Sequence, residues 1–347
     1  VTRGNFDFHG KIFLPEAAGK FFSAGFALFA DSPLTLTVKS DKVLQVLTNG
    51  AGGRAGLRNE FVYKFMDRRN NMVITEFLER NARLYGDETA LVELSPTEER
   101  DQAVTWREAS LIESARPDAP YRRALSWRDF DRRANRFANL LLSRGLERGT
   151  KVGILLMNCL EWLPLYFGIL KAGGVAVPLN FRYSSDEIKY CLELADVEVL
   201  VFGPEFVGRM DAIAGSLPQV RMMFFVGRGA PAYAEDCIRL MNFCSSSAPP
   251  VALEETDHAA IYFSSGTTGF PKAILHNHRA LVSSCETEQR HHGQTREDVF
   301  LCIPPLYHTG AKMHWFGSLL SGSRAVLLRG VKPEWILRAV TEEKCTI

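Results

Sequence analysis

Apolar and polar positions along most of this chain follow two alternating periods. In FDRRANRFANLLLSRG the apolar side chains fall at 130, 134, 137, 138, 141 and 142, the spacing of one helical face, and Gly145 supplies the stop. KVGILLM (151–157) follows as a short continuous apolar run, which predicts a buried strand. EWLPLYFGILKAGG then reads as a helix and VAVPLN as a strand. Ser184 and Glu187 stand three apart at the head of the next helical segment, the pattern of a capping box, and VEVLVFG (197–203) and RMMFFVG (221–227) are further strands. Upstream, residues 72–92 predict a helix followed by a strand. Downstream, HAAIYF (258–263) reads as a strand, and RALVSSCETEQ (279–289) and AKMHWFGSLL (311–320) read as helices. Residues 335–344 form another helix with Pro333 at its start, and Cys345, Thr346 and Ile347 begin a strand. Continuous apolar strands alternating with helices predict an α/β fold with parallel sheets covered by helices on both faces.

Three stretches break the pattern. Residues 1–71 carry ten Lys and Arg against six Asp and Glu and end in a Gly-rich linker, NGAGGRAGLRN (49–59). They include an apolar stretch, FFSAGFALFA (21–30), and one alternating run, LTLTVKS (34–40), that predicts a strand. Asp7 and Glu16 in the long region before the apolar stretch argue against a signal peptide. We expect 1–71 to be an N-terminal extension and the folded unit to start near Met72. Residues 95–124 are polar and read as a surface insertion, and 228–257, ending SSSAPPVALEETD, predict a linker between two sheet units.

Composition narrows the partners. The 347 residues, 46% hydrophobic, suffice for one large domain or two. A formal charge of +1 gives no electrostatic case for nucleic acid. No apolar run approaches the ~18 residues of a membrane span. The seven cysteines, at 159, 191, 237, 244, 285, 302 and 345, have no C-x-x-C spacing and read as reduced thiols of a cytoplasmic protein.

The chemistry concentrates in YFSSGTTGFPK (262–272). Gly266 and Gly269 let backbone approach an anion, Ser264, Ser265, Thr267 and Thr268 offer hydroxyl donors, and Lys272 supplies a positive charge. Following a buried strand, this is a loop suited to polyphosphate. It is not a Walker A loop, because Phe270 and Pro271 separate Gly269 from Lys272 and Ala273 follows. The competing reading is a Ser/Thr-rich surface turn. His308, in IPPLYHTG (303–310), is a second candidate, either as a site residue or as a helix cap. Met313, Trp315 and Phe316 read as core. The pairs His276-x-His278 and His291-His292, with His314, lack a Cys or carboxylate to complete a metal set and read as surface or satisfied histidines.

Ser264 to Lys272 resemble, over the whole motif, the phosphate loop of adenylate-forming enzymes: acyl-CoA synthetases, firefly luciferase and the adenylation domains of peptide synthetases. Residues 125–145, 149–180 and 303–310 are similar to the family's stretches in the same order, so the resemblance covers 72–347. It implies the large N-terminal domain of acyl-CoA synthetases. It also implies ATP-dependent activation of a carboxylic acid, fatty or aryl, to an acyl-adenylate, followed by transfer to coenzyme A. Ser264, Ser265, Gly266, Thr267, Thr268, Gly269 and Lys272 would hold the β and γ phosphates. Thr268 would face the Mg²⁺, and His308 would lie near the acid's carboxylate with Tyr307 beside it. The family's later motifs, Tyr-Gly-x-Thr-Glu and Tyr-Arg-Thr-Gly-Asp, and its small C-terminal domain with a lysine, do not occur between Lys272 and Ile347. The resemblance therefore implies the first part of a ligase, nearly inactive alone. The alternative is a non-catalytic polyphosphate- or acyl-binding module, or a pseudogene product.

Overall fold

A computed structural model of the chain describes residues 72–95, 121–264 and 271–347. The expected extension 1–71, with its apolar stretch and alternating run, lies outside the described residues, as do most of the polar insertion and Ser265 to Phe270.

The chain opens with α1 (Thr75–Leu84), β1 (Thr89–Leu94), β2 (Arg122–Ser126) and α2 (Trp127–Ser143). Ser126 caps α2 by accepting from the Asp129 amide at 3.1 Å, and Gly145 beyond its end takes φ +74°. Then come β3 (Lys151–Leu155), α3 (Trp162–Lys171), β4 (Val175–Pro178), α4 (Ser185–Leu194) and β5 (Val197–Phe202). The capping box expected at α4 is present, with Ser184 and Glu187 exchanging side-chain and backbone bonds. α5 (Val207–Ile213), β6 (Met222–Phe225), β7 (Glu235–Asp236) and α6 (Cys237–Asn242) lead into β8 (His258–Ser264), β9 (Lys272–Asn277) and α7 (His278–His292). β10 (Val299–Cys302), α8 (Thr309–Ser321), β11 (Arg324–Leu328) and α9 (Pro333–Glu343) complete the order.

The strands form two sheets. The larger has the order β7-β6-β5-β3-β4-β8-β9 and the smaller β10-β11-β1-β2. Interior pairs are parallel, as the continuous apolar runs predict. Each sheet also carries one antiparallel pair at an edge, β8 with β9 and β1 with β2. Residues 228–257 hold β7 and α6 and then return through β8 to pair with β4, so this stretch is not a boundary between sheets. At the far edge of the smaller sheet Thr346 and Ile347 donate their amides to the Val299 carbonyl, although no strand is assigned there.

Between the sheets lies an aromatic core. Every residue of α3 is buried, which explains why its sequence shows little amphipathic period. It packs on α2 so closely that a Cβ at Gly168 would stand 2.8 Å from the Ala134 carbonyl oxygen, which requires glycine there. Phe130 meets Phe167 edge-on at 5.7 Å, and Phe167 meets Trp315 of α8 at 5.8 Å. Trp315 and Phe316 are core, as expected. Burying each such ring stabilises the fold by roughly 1.5–3 kcal/mol, and together they fix α8 against α2 and α3. All seven cysteines are free thiols, five of them buried.

Candidate functional site

Where β8 ends at Ser264, a cavity of about 590 Å³ opens. Its walls come from three places: the segment after β4 (Asn180, Arg182), the β8–β9 hairpin (Tyr262, Ser264, His276), and the turn before α8 (Tyr307, His308). In parallel sheets the carboxyl ends of strands are where loops can converge on a ligand, and this cavity occupies that position.

The hairpin alters the expected path through the motif. The sequence reads as strand, loop, helix; the chain instead returns as β9 before α7 begins. Ser264 and Lys272 are direct cross-strand partners at the hairpin's mouth. Ser264 lines the cavity, while Lys272 is exposed on the return strand and is not among the residues lining it. Ser265, Gly266, Thr267, Thr268 and Gly269 span the gap and lie outside the described residues.

His308 takes the cap position considered for it and also lines the cavity. It is the N-cap of α8, its Nδ1 accepting from the Gly310 amide at 3.1 Å. With Nδ1 used as an acceptor, the neutral ring carries its proton on Nε2, which leaves an N–H donor for the cavity. Tyr307 stacks edge-on with Phe181 at 5.3 Å, and its hydroxyl lies 3.5 Å from Arg182. Burial raises the Tyr307 pKa, and Arg182 opposes that shift.

The turn carrying His308 is held by Asn158, just beyond β3. The Asn158 amide donates to the carbonyls of Pro304 at 3.0 Å and Leu328 at 3.2 Å, and its oxygen accepts from the Leu306 amide at 2.8 Å. One buried side chain thus ties the His308 turn and β11 to the carboxyl end of β3. Sequence reasoning passed over it; the available signal is a lone Asn directly after an apolar strand.

Behind the cavity wall the Tyr262 and Tyr166 hydroxyls share a hydrogen bond of 2.7 Å, and burial raises both pKa values. Lys312 of α8 is wholly buried against the same rings, with Nζ 3.6 Å from the Tyr262 centroid. Burial drives its pKa well below that of a free lysine. His276 lines the cavity, and burial followed by Lys312 lowers its pKa. His278 is buried, with its pKa lowered to about 4 by desolvation against the pull of Asp257. Among the remaining histidines, two have a carboxylate partner that the sequence did not reveal, which makes a group of three rather than a four-ligand set. Glu288 lies within bonding distance of both His292 and His314, an approach between helices that sequence spacing does not reveal.

Fold and cavity together define a doubly wound α/β protein with a cavity at the carboxyl ends of parallel strands. Comparison with known proteins sharpens this. The AMP-binding enzyme family matches residues 78–347, and the chain belongs to that family. It is 30% identical over 216 residues to a 3-hydroxybenzoate–CoA/4-hydroxybenzoate–CoA ligase of Thauera aromatica, covering 61% of this chain and 40% of that protein. It is 26% identical over 215 residues to a long-chain-fatty-acid–CoA ligase of Mycobacterium tuberculosis, covering 62% and 42%. The chain thus spans about two fifths of the length of these relatives. Among solved structures it resembles the anthranilate–CoA ligase AuaEII in complex with anthranoyl-AMP. That match has a TM-score of 0.67 and 24% identity, and covers 79% of this chain and 49% of that one, a likeness of fold.

Proposed function

We propose that this chain is the acid- and phosphate-binding part of an AMP-forming acid–CoA ligase. The observation that carries the reading is the convergence of the His308 turn and the β8–β9 hairpin on one cavity within a chain of the AMP-binding family. In the reaction a carboxylate oxygen attacks the α-phosphorus of ATP, the bond to pyrophosphate breaks, and an acyl-adenylate forms. The thiolate of coenzyme A then attacks the acyl carbon and AMP leaves.

Each residue has a task in that scheme. The His308 Nε2–H donates to the acid's carboxylate and orients it for in-line attack. Ser264 and the loop hydroxyls of Ser265, Thr267 and Thr268 donate to the β and γ phosphates, Gly266 and Gly269 allow backbone amides to approach, and Lys272 offsets the charge growing on pyrophosphate. Mg²⁺ arriving with the nucleotide would neutralise phosphate charge. It prefers hard oxygen donors, and hydroxyls such as that of Thr268 fit it. Glu187, the carboxylate in the described wall, is engaged by the Ser184 amide at 2.8 Å. The ring-lined wall formed by Tyr262, Phe263 and Tyr307 supports an apolar fatty or aryl acid. Seven free thiols suit a reducing compartment such as the cytoplasm. Among the described residues no helix is long and apolar enough to cross a membrane.

The test separates the two halves of the site. Calorimetric titration with tripolyphosphate and with fatty and aryl acids should show Lys272→Ala weakening the first ligand and His308→Asn weakening the second. Acid-dependent exchange of labelled pyrophosphate into ATP then asks whether the chain completes the adenylation step by itself. Failure of both ligands to bind folded protein would overturn the reading; binding without exchange would support the acid and phosphate sites and assign adenylate formation to further chain.

A further inference from the structure

Away from the cavity, three ligand-type atoms meet between α7 and α8. His314 Nδ1 lies 2.6 Å from Glu288 Oε2 and 3.2 Å from His292 Nε2, and Glu288 Oε2 lies 3.3 Å from His292 Nε2. Glu288 and His292 are four residues apart on α7 and so project from one face. His314 reaches them from the second turn of α8.

The contacts are awkward for protons and natural for a cation. His314 Nδ1 carries at most one proton yet faces both other groups. If both imidazoles donate to Glu288, their N–H groups confront each other at 3.2 Å. Three lone pairs directed at one ion remove that conflict. Ligand atoms around tetrahedral Zn²⁺, at about 2.0–2.1 Å from the metal, stand roughly 3.3–3.4 Å from one another. Two of the three edges here have nearly that length, and the third needs to open by about 0.7 Å. Among the described residues this is the group of His, Cys, Asp and Glu atoms close enough to share an ion, all within 4.8 Å. Their partial exposure provides an entry path for the ion.

We propose that Glu288, His292 and His314 bind a divalent ion of borderline softness, Zn²⁺ being the best match, with water in the fourth position. Two imidazoles and one carboxylate favour Zn²⁺ over Mg²⁺, which prefers an octahedron of oxygens. The ion braces α7, which follows the β8–β9 hairpin, to α8, which begins at His308. Its role is to clamp two helices that flank the cavity, and the binding itself does not depend on the ligase reading.

The experiment titrates chelator-treated protein with Zn²⁺ by calorimetry and with Co²⁺ by visible absorption. One ion per chain, an absorption pattern of tetrahedral cobalt and a rise in Tm with Zn²⁺, with no response to Mg²⁺ at equal concentration, are expected. Glu288→Gln and His314→Ala should each lower Zn²⁺ affinity at least tenfold, whereas His291→Ala, the neighbouring histidine, should leave it unchanged. These side chains are at or near the surface, so matching circular dichroism of the metal-free variants shows that the fold persists. Absence of stoichiometric Zn²⁺ binding, or binding that survives His314→Ala undiminished, would overturn the assignment.

Discussion

Replacing Lys312 with Met should stabilise the protein, and the size of the gain should depend on pH. The Nζ of Lys312 is fully buried without a hydrogen-bond partner among the described residues. It lies 3.6, 4.9 and 5.5 Å from the ring centroids of Tyr262, Tyr166 and Trp162. Met has similar length and places a polarisable sulfur against the same rings. Removing an unsatisfied buried donor should gain about 1–3 kcal/mol even where the amine is neutral in both states, and the cost of releasing its proton adds to that gain at lower pH. A charged amine over the rings would recover up to ~2 kcal/mol by cation–π attraction, but burial disfavours that charged form. The unfolded chain holds the lysine proton up to a pH of about 10.4, whereas the native chain releases it at much lower pH. Between those two values the unfolded state binds more protons, so wild-type stability rises with pH by about 1.4 kcal/mol per unit. The advantage of Lys312→Met is therefore largest at low pH and shrinks as pH climbs toward 10. Urea unfolding of both proteins at pH 7, 8 and 9 measures it. A variant less stable by 1 kcal/mol or more, with a pH slope parallel to wild type, would refute the reasoning and mean that the amine is paired in solution.

Three further outcomes follow from the same packing. Asn158→Ala removes three hydrogen bonds and should cost about 2–3 kcal/mol in urea unfolding, while loosening the His308 turn enough to weaken acid binding. His308→Asn keeps a competent N-cap and should leave Tm within roughly 2 °C of wild type, yet lose the Nε2 donor and with it acid affinity; an unchanged acid affinity would remove His308 from the site. Glu93 is buried and accepts from the Leu160 amide at 2.7 Å and from Arg123 at 2.5 Å, so Glu93→Ala should destabilise by about 3–5 kcal/mol, read from the denaturation midpoint.

The sequence was most legible where a period persisted. The face of α2, the apolar runs of β3, β5 and β6, and the capping box of α4 all announce themselves within a few residues. β9 did not, because most of its side chains are exposed and Pro271 precedes it, leaving neither an apolar run nor a clear alternation. β2 was hidden in the charged stretch RRALS for a similar reason, as an antiparallel edge strand. At the site, the His308 turn was readable from its own residues. Asn158 was not, since its partners lie 146 to 170 residues away in the chain. Lys312 was concealed inside a helix whose other residues look like ordinary core, and the approach of His314 to Glu288 exists only once α7 and α8 are packed.

The β8–β9 hairpin has a consequence for engineering. Its register runs from His258 opposite Asn277 to Ser264 opposite Lys272, so the residues from 265 to 271 start and finish at anchor points one strand spacing apart, about 5 Å. That makes the stretch an exchangeable cassette. Closing a flexible loop between fixed ends costs only about 0.6 kcal/mol more for each doubling of its length. Loops of other lengths and compositions can therefore be grafted between Ser264 and Lys272 at small closure cost, with the hairpin register holding their two ends in place.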